Sequence, residues 1–276
     1  MVSSTIAGSV QQAAEQLRNA SDTPLLDAEI LLANVLQVSR SYLFAFPERR
    51  LTAHEMHLFE KQIAERQQKI PIAYITGHRE FWSLDLLVTT ATLIPRPETE
   101  LLVELALQNA PHQPQVVADL GTGSGAVALA LASERPLWEI HATDNSEPAL
   151  AIAKQNAARL KIVNIIFHQG NWAAALPDKL FDLVVSNPPY IALDDPNLTA
   201  QHEPKSALIA NENGLADIAL ISQQVQNCLR PGGRLLLEHG FQQAMEVRGI
   251  LANLGYNDIK TYRDLAGLDR VTTGIA

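Results

Sequence analysis

The chain has 276 residues, 47% hydrophobic and 18% charged, with a formal net charge of −9; this predicts a folded chain with a sizeable core, and argues against a main affinity for phosphate backbones. Cys228 is the single cysteine, so no intrachain disulfide can form. Residues 1–20 lack a basic start followed by an apolar run, and no apolar window approaches about 18 residues, so a cytoplasmic chain with no signal peptide and no membrane span is expected.

The first seventy or so residues carry apolar positions at helical spacing, clearest over 25–36. Thr52 followed by Glu55 predicts a capping box opening a helix that runs towards Lys69. His54-Glu55-Met56-His57 falls one residue short of the zinc-protease spacing and reads as a solvated helix face, so no metal is expected. Pro71 and Gly77 break the helical pattern, and residues 81–88 read as a β-hairpin. A helical domain over 1–72, a linking hairpin over 73–92 and a larger domain over 93–276 follow.

In the larger domain strands and helices alternate. Strands are expected over 116–119, 139–143, 162–168, 181–186 and 234–238, with two more near 256–262 and 270–273. Helices are expected after the glycine-rich turn at 121–125, then over 148–160, 214–229 and 241–253. This alternation predicts an α/β fold, a mostly parallel sheet covered by helices on both faces.

Asn187-Pro188-Pro189-Tyr190 closes the fourth strand of that sheet. Neither proline can donate a backbone N–H, and Asn187, preceding a proline, is held out of the helical region. The result is a stiff loop that offers carbonyl oxygens, one side-chain amide and an aromatic ring. It suits a planar –NH2 group, which has two donors and a flat face. Asp119-Leu120-Gly121-Thr122-Gly123-Ser124-Gly125 sits where the first strand turns into a helix, a place where glycines allow close backbone approach to a ligand. By itself this motif fits a tight packing turn nearly as well. Asp144, at the end of the second strand, strengthens the nucleoside reading because a carboxylate there can accept from both ribose hydroxyls; a turn or N-cap role is its bland alternative. Trp172 after the third strand fits core packing and an adenine wall about equally, and Asn171 fits a turn as well as an adenine contact. Cys228 reads as core and His239 as a structural histidine.

The glycine loop, the acid after strand two and Asn-Pro-Pro-Tyr after strand four resemble the class I S-adenosylmethionine methyltransferases that act on nitrogen. Ile94-Pro95-Arg96-Pro97-Glu98-Thr99-Glu100, Gly77-His78-Arg79-Glu80-Phe81-Trp82 and Glu238-His239-Gly240 narrow the match over nearly the whole chain. It is similar to the HemK-type bacterial release factor glutamine methyltransferases, which are protein-(glutamine-N5) methyltransferases. The resemblance implies a Rossmann-like seven-stranded sheet with an antiparallel last strand, and an N-terminal helical domain that docks the protein substrate. It implies that Gly121, Thr122, Gly123, Ser124 and Gly125 surround S-adenosylmethionine, that Asp144 holds the ribose, and that Trp172 borders the adenine. Asn187, Pro188, Pro189 and Tyr190 would hold the glutamine of a Gly-Gly-Gln motif in peptide chain release factors, with Asn187 also near the cofactor. Asn187, Pro188 and Tyr190 would carry the catalysis, and residues 96–99 would form an edge over the cofactor. S-adenosylhomocysteine would be the product, and the enzyme would act as a monomer without contacting nucleic acid.

Two departures bear on substrate grip. Asn171 stands where the family pattern has an Asp, and the loop over 194–204 is short, with Gln201 and His202 where an Arg commonly precedes Glu203-Pro204. An N6-adenine methyltransferase is the main alternative, since adenine also offers an amino group, but the acidic balance and missing basic recognition domain speak against it. A binding module without catalysis and a dehydrogenase fit less well.

Overall fold

The computed structural model describes residues 5–108, 113–192 and 202–276. They fall into two compact units that divide between His78 and Arg79.

The first unit is helical: α1 (Ile6–Leu17), α2 (Pro24–Leu36), α3 (Arg40–Ala45), α4 (Ala53–Gln67) and α5 (Ile72–Thr76). Thr5 caps α1, accepting from the Gly8 N–H at 3.2 Å. The Thr52–Glu55 capping box opens α4, as its spacing predicts. Leu17, Leu31, Leu32, Phe59 and Ile63 fill the core between the helices, and Arg66 Nε meets Asp27 Oδ2 at 2.7 Å to tie α4 to α2. His54 and His57 lie on the exposed face of α4.

The second unit follows a hairpin, β1 (His78–Phe81) and β2 (Leu84–Leu87). Its turn is Trp82-Ser83, with left-handed φ values of 52° and 59°. The first arm therefore begins at His78 and ends at Phe81, where the sequence pattern begins the hairpin. The turn pair lacks the Asn-Gly type of signal that usually marks such a position.

The seven-stranded sheet comprises β3 (Val116–Leu120), β4 (Glu139–Asp144), β5 (Ile165–Gln169), β6 (Phe181–Ser186), β7 (Leu229–Glu238), β8 (Asn257–Arg263) and β9 (Asp269–Ile275), in the order β5-β4-β3-β6-β7-β9-β8. β9 runs antiparallel to both neighbours, while β3 to β7 are parallel. Alternate residues of each central strand feed two cores. Val117, Leu183, Val185 and Leu236 pack under α6 (Glu100–Gln108), α7 (Ala126–Glu134) and α8 (Glu147–Leu160). Ala118, Leu120, Val184, Leu235 and Leu237 face α10 (Ala216–Val225) and α11 (Ala244–Asn253) on the other side, α9 (Asn211–Gly214) being a single turn before them. Strands buried on both faces read as continuous apolar runs, which is why they stand out in the sequence. Among the described residues no helix is long and apolar enough to cross a membrane.

The expected helix over 214–229 is shorter at both ends. Glu212 and Asn213 take left-handed φ before it. At its other end Leu229 already pairs with Phe181, and the chain bulges at Pro231 to Gly233 before Arg234 pairs with Leu183. The expected strand over 162–168 begins later, at Ile165, because Lys161 closes α8 in the left-handed conformation. The last helix starts at Ala244 rather than 241, since the Gln243 side chain accepts from Gly240 N–H at 2.8 Å and holds that stretch as a turn.

Candidate active site

Order reverses between β3 and β6, the position where parallel sheets leave a crevice for ligands at the carboxyl ends of their strands. Register brings the ends level: Leu120 lies opposite Thr143 and Ser186, Asp144 opposite Gln169, and Ser186 opposite Leu237. The residues that follow each strand therefore meet along one edge. A cavity of about 540 Å3 opens there, lined among others by Gly121, Gly123, Asp144, Asn171, Trp172, Asn187 and Pro189. That volume suits a small-molecule ligand.

The glycine loop divides its labour. Gly121 and Gly123, with φ of 76° and 56°, face the cavity. Thr122, Ser124 and Gly125 stand behind it. The Thr122 hydroxyl donates to Asp119 Oδ2 at 2.7 Å, and the Ala128 N–H donates to the same oxygen at 3.1 Å. Burial pushes the Asp119 carboxyl up to about 6, with the Asp144 charge adding to the rise and those two bonds opposing it. Ser124 offers its carbonyl to Asn156 Nδ2 at 3.0 Å, and Asn156 also bonds both backbone groups of Leu87, so the hairpin braces the loop. Gly125 packs against Leu129 and Ala153.

Asp144 Oδ2 accepts from Gly123 N–H at 2.8 Å and Oδ1 from Ser146 N–H at 2.9 Å. Those bonds fix the carboxylate at the cavity wall, while Ser146 caps α8. Burial raises the Asp144 carboxyl above its ordinary range. Trp172 adopts a left-handed φ of 48°, and its indole lies over Gly121 as a cavity wall.

Across the crevice, the Asn187 side-chain amide donates from Nδ2 to Thr99 Oγ1 at 3.1 Å. Pro188 is buried, and Pro189 is buried at the cavity wall. Tyr190 Oη donates to Glu238 Oε1 at 3.3 Å, and the Tyr190 carbonyl accepts from Gln243 Nε2 at 3.0 Å. Burial raises the Tyr190 phenol well above its ordinary value. The segment that carries Thr99 is itself pinned: Glu203 accepts from Ile94 N–H at 3.0 Å and pairs with Arg96. Residues 194–201 of the short loop lie outside the described residues.

Residues 9–77 match the family model described as the PrmC N-terminal domain, and residues 97–248 match the methyltransferase small domain. The release factor glutamine methyltransferase of Vibrio cholerae is 50% identical over 278 residues, covering 99% of this chain and 97% of that one. That of Escherichia coli K12 is 48% identical over 268 residues, covering 96% of each. The chain belongs to the release factor glutamine methyltransferase family. Solved structures agree at the level of fold. A methyltransferase from Pyrococcus furiosus aligns over 78% of this release factor glutamine methyltransferase family member and 96% of its own chain, with TM-score 0.54 and 17% identity. The ribosomal protein L11 methylase from Lactobacillus delbrueckii aligns over 66% and 79%, with TM-score 0.50 and 23% identity.

Several cavity residues carry no sequence signal. Thr92 and Leu93 come from the stretch after the hairpin, and Asp217, Leu220 and Gln224 from α10. Their places depend on how α10 packs beside the sheet, and Gln224 Oε1 does so visibly, accepting from Ala173 N–H at 3.1 Å.

Proposed function

We propose that this protein methylates the side-chain amide nitrogen (N5) of the glutamine in the Gly-Gly-Gln motif of peptide chain release factors, using S-adenosylmethionine. One observation carries the reading: a cavity of nucleoside character, with two glycines, a carboxylate and an indole, abuts a proline-stiffened loop whose Asn187 side chain sits at the same wall.

The residues fit the cofactor. A side chain at Gly121 would collide with Trp172, so the bare glycine keeps the cradle open. Gly121 and Gly123 would take the backbone-facing side of S-adenosylmethionine, Asp144 the ribose hydroxyls and Trp172 the adenine edge, with Asn187 near the reacting end. Thr122, Ser124 and Gly125 keep the loop in shape. Bound there, S-adenosylmethionine supplies an electrophilic sulfonium methyl group and is released as S-adenosylhomocysteine.

A carboxamide nitrogen is a poor nucleophile because its lone pair is delocalised into the carbonyl. Asn187 Oδ1 and the Pro188 carbonyl each accept one substrate N–H in this reading, concentrating electron density on nitrogen and orienting it. Tyr190 covers the amide plane and excludes water. Pro188 and Pro189 remove backbone N–H groups that would compete for the acceptors. Alignment of this kind contributes several kcal/mol, and fixed acceptors facing a nitrogen that gains positive charge add electrostatic stabilisation; the N-methylated amide is then acidic enough to release one of its two N–H protons to solvent, leaving the neutral product.

The helical domain expected over residues 1–72 would dock the body of the release factor. A substrate of the translation machinery goes with a cytoplasmic enzyme that acts as a monomer and makes no direct contact with nucleic acid. The test is a transfer assay with labelled S-adenosylmethionine and, in separate tubes, purified release factor and duplex DNA, with mass spectrometry to map the mark. Label on the Gly-Gly-Gln glutamine is expected. Label on DNA adenine with none on the factor would overturn the reading.

A further inference from the structure

The segment that faces the acceptor loop has little regular structure to hold it. Residues 93–96 belong to no helix or strand, so their places depend on side chains that reach their backbone. Pro95 and Pro97 fix their own φ and remove two N–H groups. The Pro95 carbonyl accepts from Arg79 Nε at 3.2 Å. Two further ties come from one residue. Glu203, whose side chain is 4% exposed, accepts from Ile94 N–H at 3.0 Å through Oε1 and from the Arg96 guanidinium through Oε2.

From Arg96 the hold passes on by hydrogen bonds. Its carbonyl accepts from Thr99 N–H at 3.1 Å, closing the turn Pro97–Thr99 that leads into α6. Thr99 Oγ1 in turn accepts from Asn187 Nδ2 at 3.1 Å. A second route closes the ring. Ile191, next after Tyr190, bridges to Ile209: the Ile191 N–H donates to the Leu208 carbonyl at 2.9 Å, and the Ala210 N–H to the Ile191 carbonyl at 3.0 Å. Residues 203–210 therefore grip the acceptor loop on both sides, at Asn187 through Arg96 and Thr99 and just past Tyr190 directly. A buried ion pair is weak evidence for stability, since apolar replacements are often as stable. What Glu203 supplies is direction, because its two oxygens take different partners and so fix both the place and the turn of the segment.

We propose that Glu203 is a positioning residue for methyl transfer: through Arg96 and Thr99 it sets where the Asn187 amide stands against the substrate nitrogen. The inference rests on the methyl-transfer reading of residues 187–190. Neither Glu203 nor Arg96 lines the cavity. Misplacing a reacting group by about 1 Å can cost about 10²-fold in rate, so a slack frame is felt as lost turnover. The glycine loop, Asp144 and Trp172 still hold the cofactor.

The experiment is a double-mutant cycle on the full chain, read as single-turnover methylation of release factor at saturating S-adenosylmethionine. Glu203→Gln keeps an oxygen for the Ile94 N–H but gives up the charge that holds Arg96. It should slow transfer roughly 10- to 100-fold, with S-adenosylhomocysteine affinity changed by no more than about threefold. In the Asn187→Ala background the same substitution should slow the reaction by no more than about twofold, because the group it positions is gone. A residue that only supported the fold would cost the same factor in both backgrounds, and that result overturns the proposal. So does a Glu203→Gln enzyme as fast as the parent. Arg96→Met should repeat the loss, and Arg96→Lys, which can still donate an N–H to Glu203, should recover most of it. If Glu203→Gln does not fold, Arg96→Met, at a half-exposed side chain, carries the same cycle. One readout needs no turnover. The Asn187 side-chain 15N–1H signals of the unliganded protein should move in Arg96→Met and lie close to the parent's in Arg96→Lys; unmoved signals in Arg96→Met break the link from Arg96 to Asn187. Should the parent fail to methylate release factor, the functional reading falls, and those signals still decide the frame.

Discussion

The indole of Trp172 closes over Gly121 so tightly that a methyl group on that glycine would lie 2.7 Å from the ring carbon Cζ3. The ring has little room to retreat, because its residue already holds a left-handed φ of 48°. Gly121→Ala should therefore destabilise the protein by about 2 kcal/mol or more, from overpacking and the strain of φ at 76°. It should also weaken S-adenosylhomocysteine binding. Gly123→Ala is the control: φ is 56° but nothing lies within 4 Å of the added methyl, so about 1 kcal/mol of backbone strain is expected. Equal losses in thermal melts of the two variants would contradict this account of the wall.

Beside the glycine loop, Asp144→Ala removes the carboxylate assigned to the ribose and also the acceptor that holds Gly123 N–H. Charge-assisted hydrogen bonds are worth about 1.5–3 kcal/mol each. Calorimetry should find cofactor affinity lower by roughly 10- to 100-fold, with turnover at saturating cofactor reduced much less. An unchanged dissociation constant would remove Asp144 from the site.

The parallel strands were legible because they are rich in apolar residues and most are followed directly by Gly or Asn, and the register of such strands carries their ends to one edge. Asn187, Asp144 and the glycine loop could be placed for that reason. The division of labour inside the loop could not. Motif spacing treats residues 121–125 alike, whereas Asp119, Asn156 and Ala153 draw Thr122, Ser124 and Gly125 away from the cavity. Each of those partners is distant in sequence or concealed within a strand. The break before α10 has a similar cause. A Cβ at Gly214 would meet the Tyr190 carbonyl, so the turn is shaped by the acceptor loop rather than by local propensity. Glu238 stood in the sequence only as part of Glu-His-Gly; the structure adds its buried contact with Tyr190 of the acceptor loop.

Asp119 ties pH to stability. Its carboxyl is 2% exposed and rises from 3.8 unfolded to about 6 in the fold, chiefly through burial. The folded state thus holds its proton more tightly than the unfolded state. Stability from this group is complete below about pH 4 and is lost as pH rises towards about 6. Asp119→Asn retains an oxygen for Thr122 and Ala128 but cannot ionise. Relative to the parent, it should gain stability between those two pH values, by at most about 3 kcal/mol. Denaturation at pH values spanning that window gives the difference directly. A parent-to-variant gap that does not change with pH would mean that Asp119 is ionised throughout.

Asn187 is the residue on which the chemistry turns. Asn187→Ala deletes the Oδ1 acceptor and leaves Thr99 Oγ1 without its donor, while Pro188 still offers a carbonyl. Losing one preorganised transition-state partner typically costs about 10²–10³ in turnover. Single-turnover methylation of release factor by the variant should fall by at least about 10²-fold. Cofactor affinity should change far less, because the glycine loop, Asp144 and Trp172 are untouched. The comparison also separates two roles. A loss confined to the rate identifies Asn187 with the transition state, whereas equal losses in rate and cofactor affinity would make it chiefly part of the cofactor wall. Near-normal methylation would end the acceptor-loop mechanism altogether.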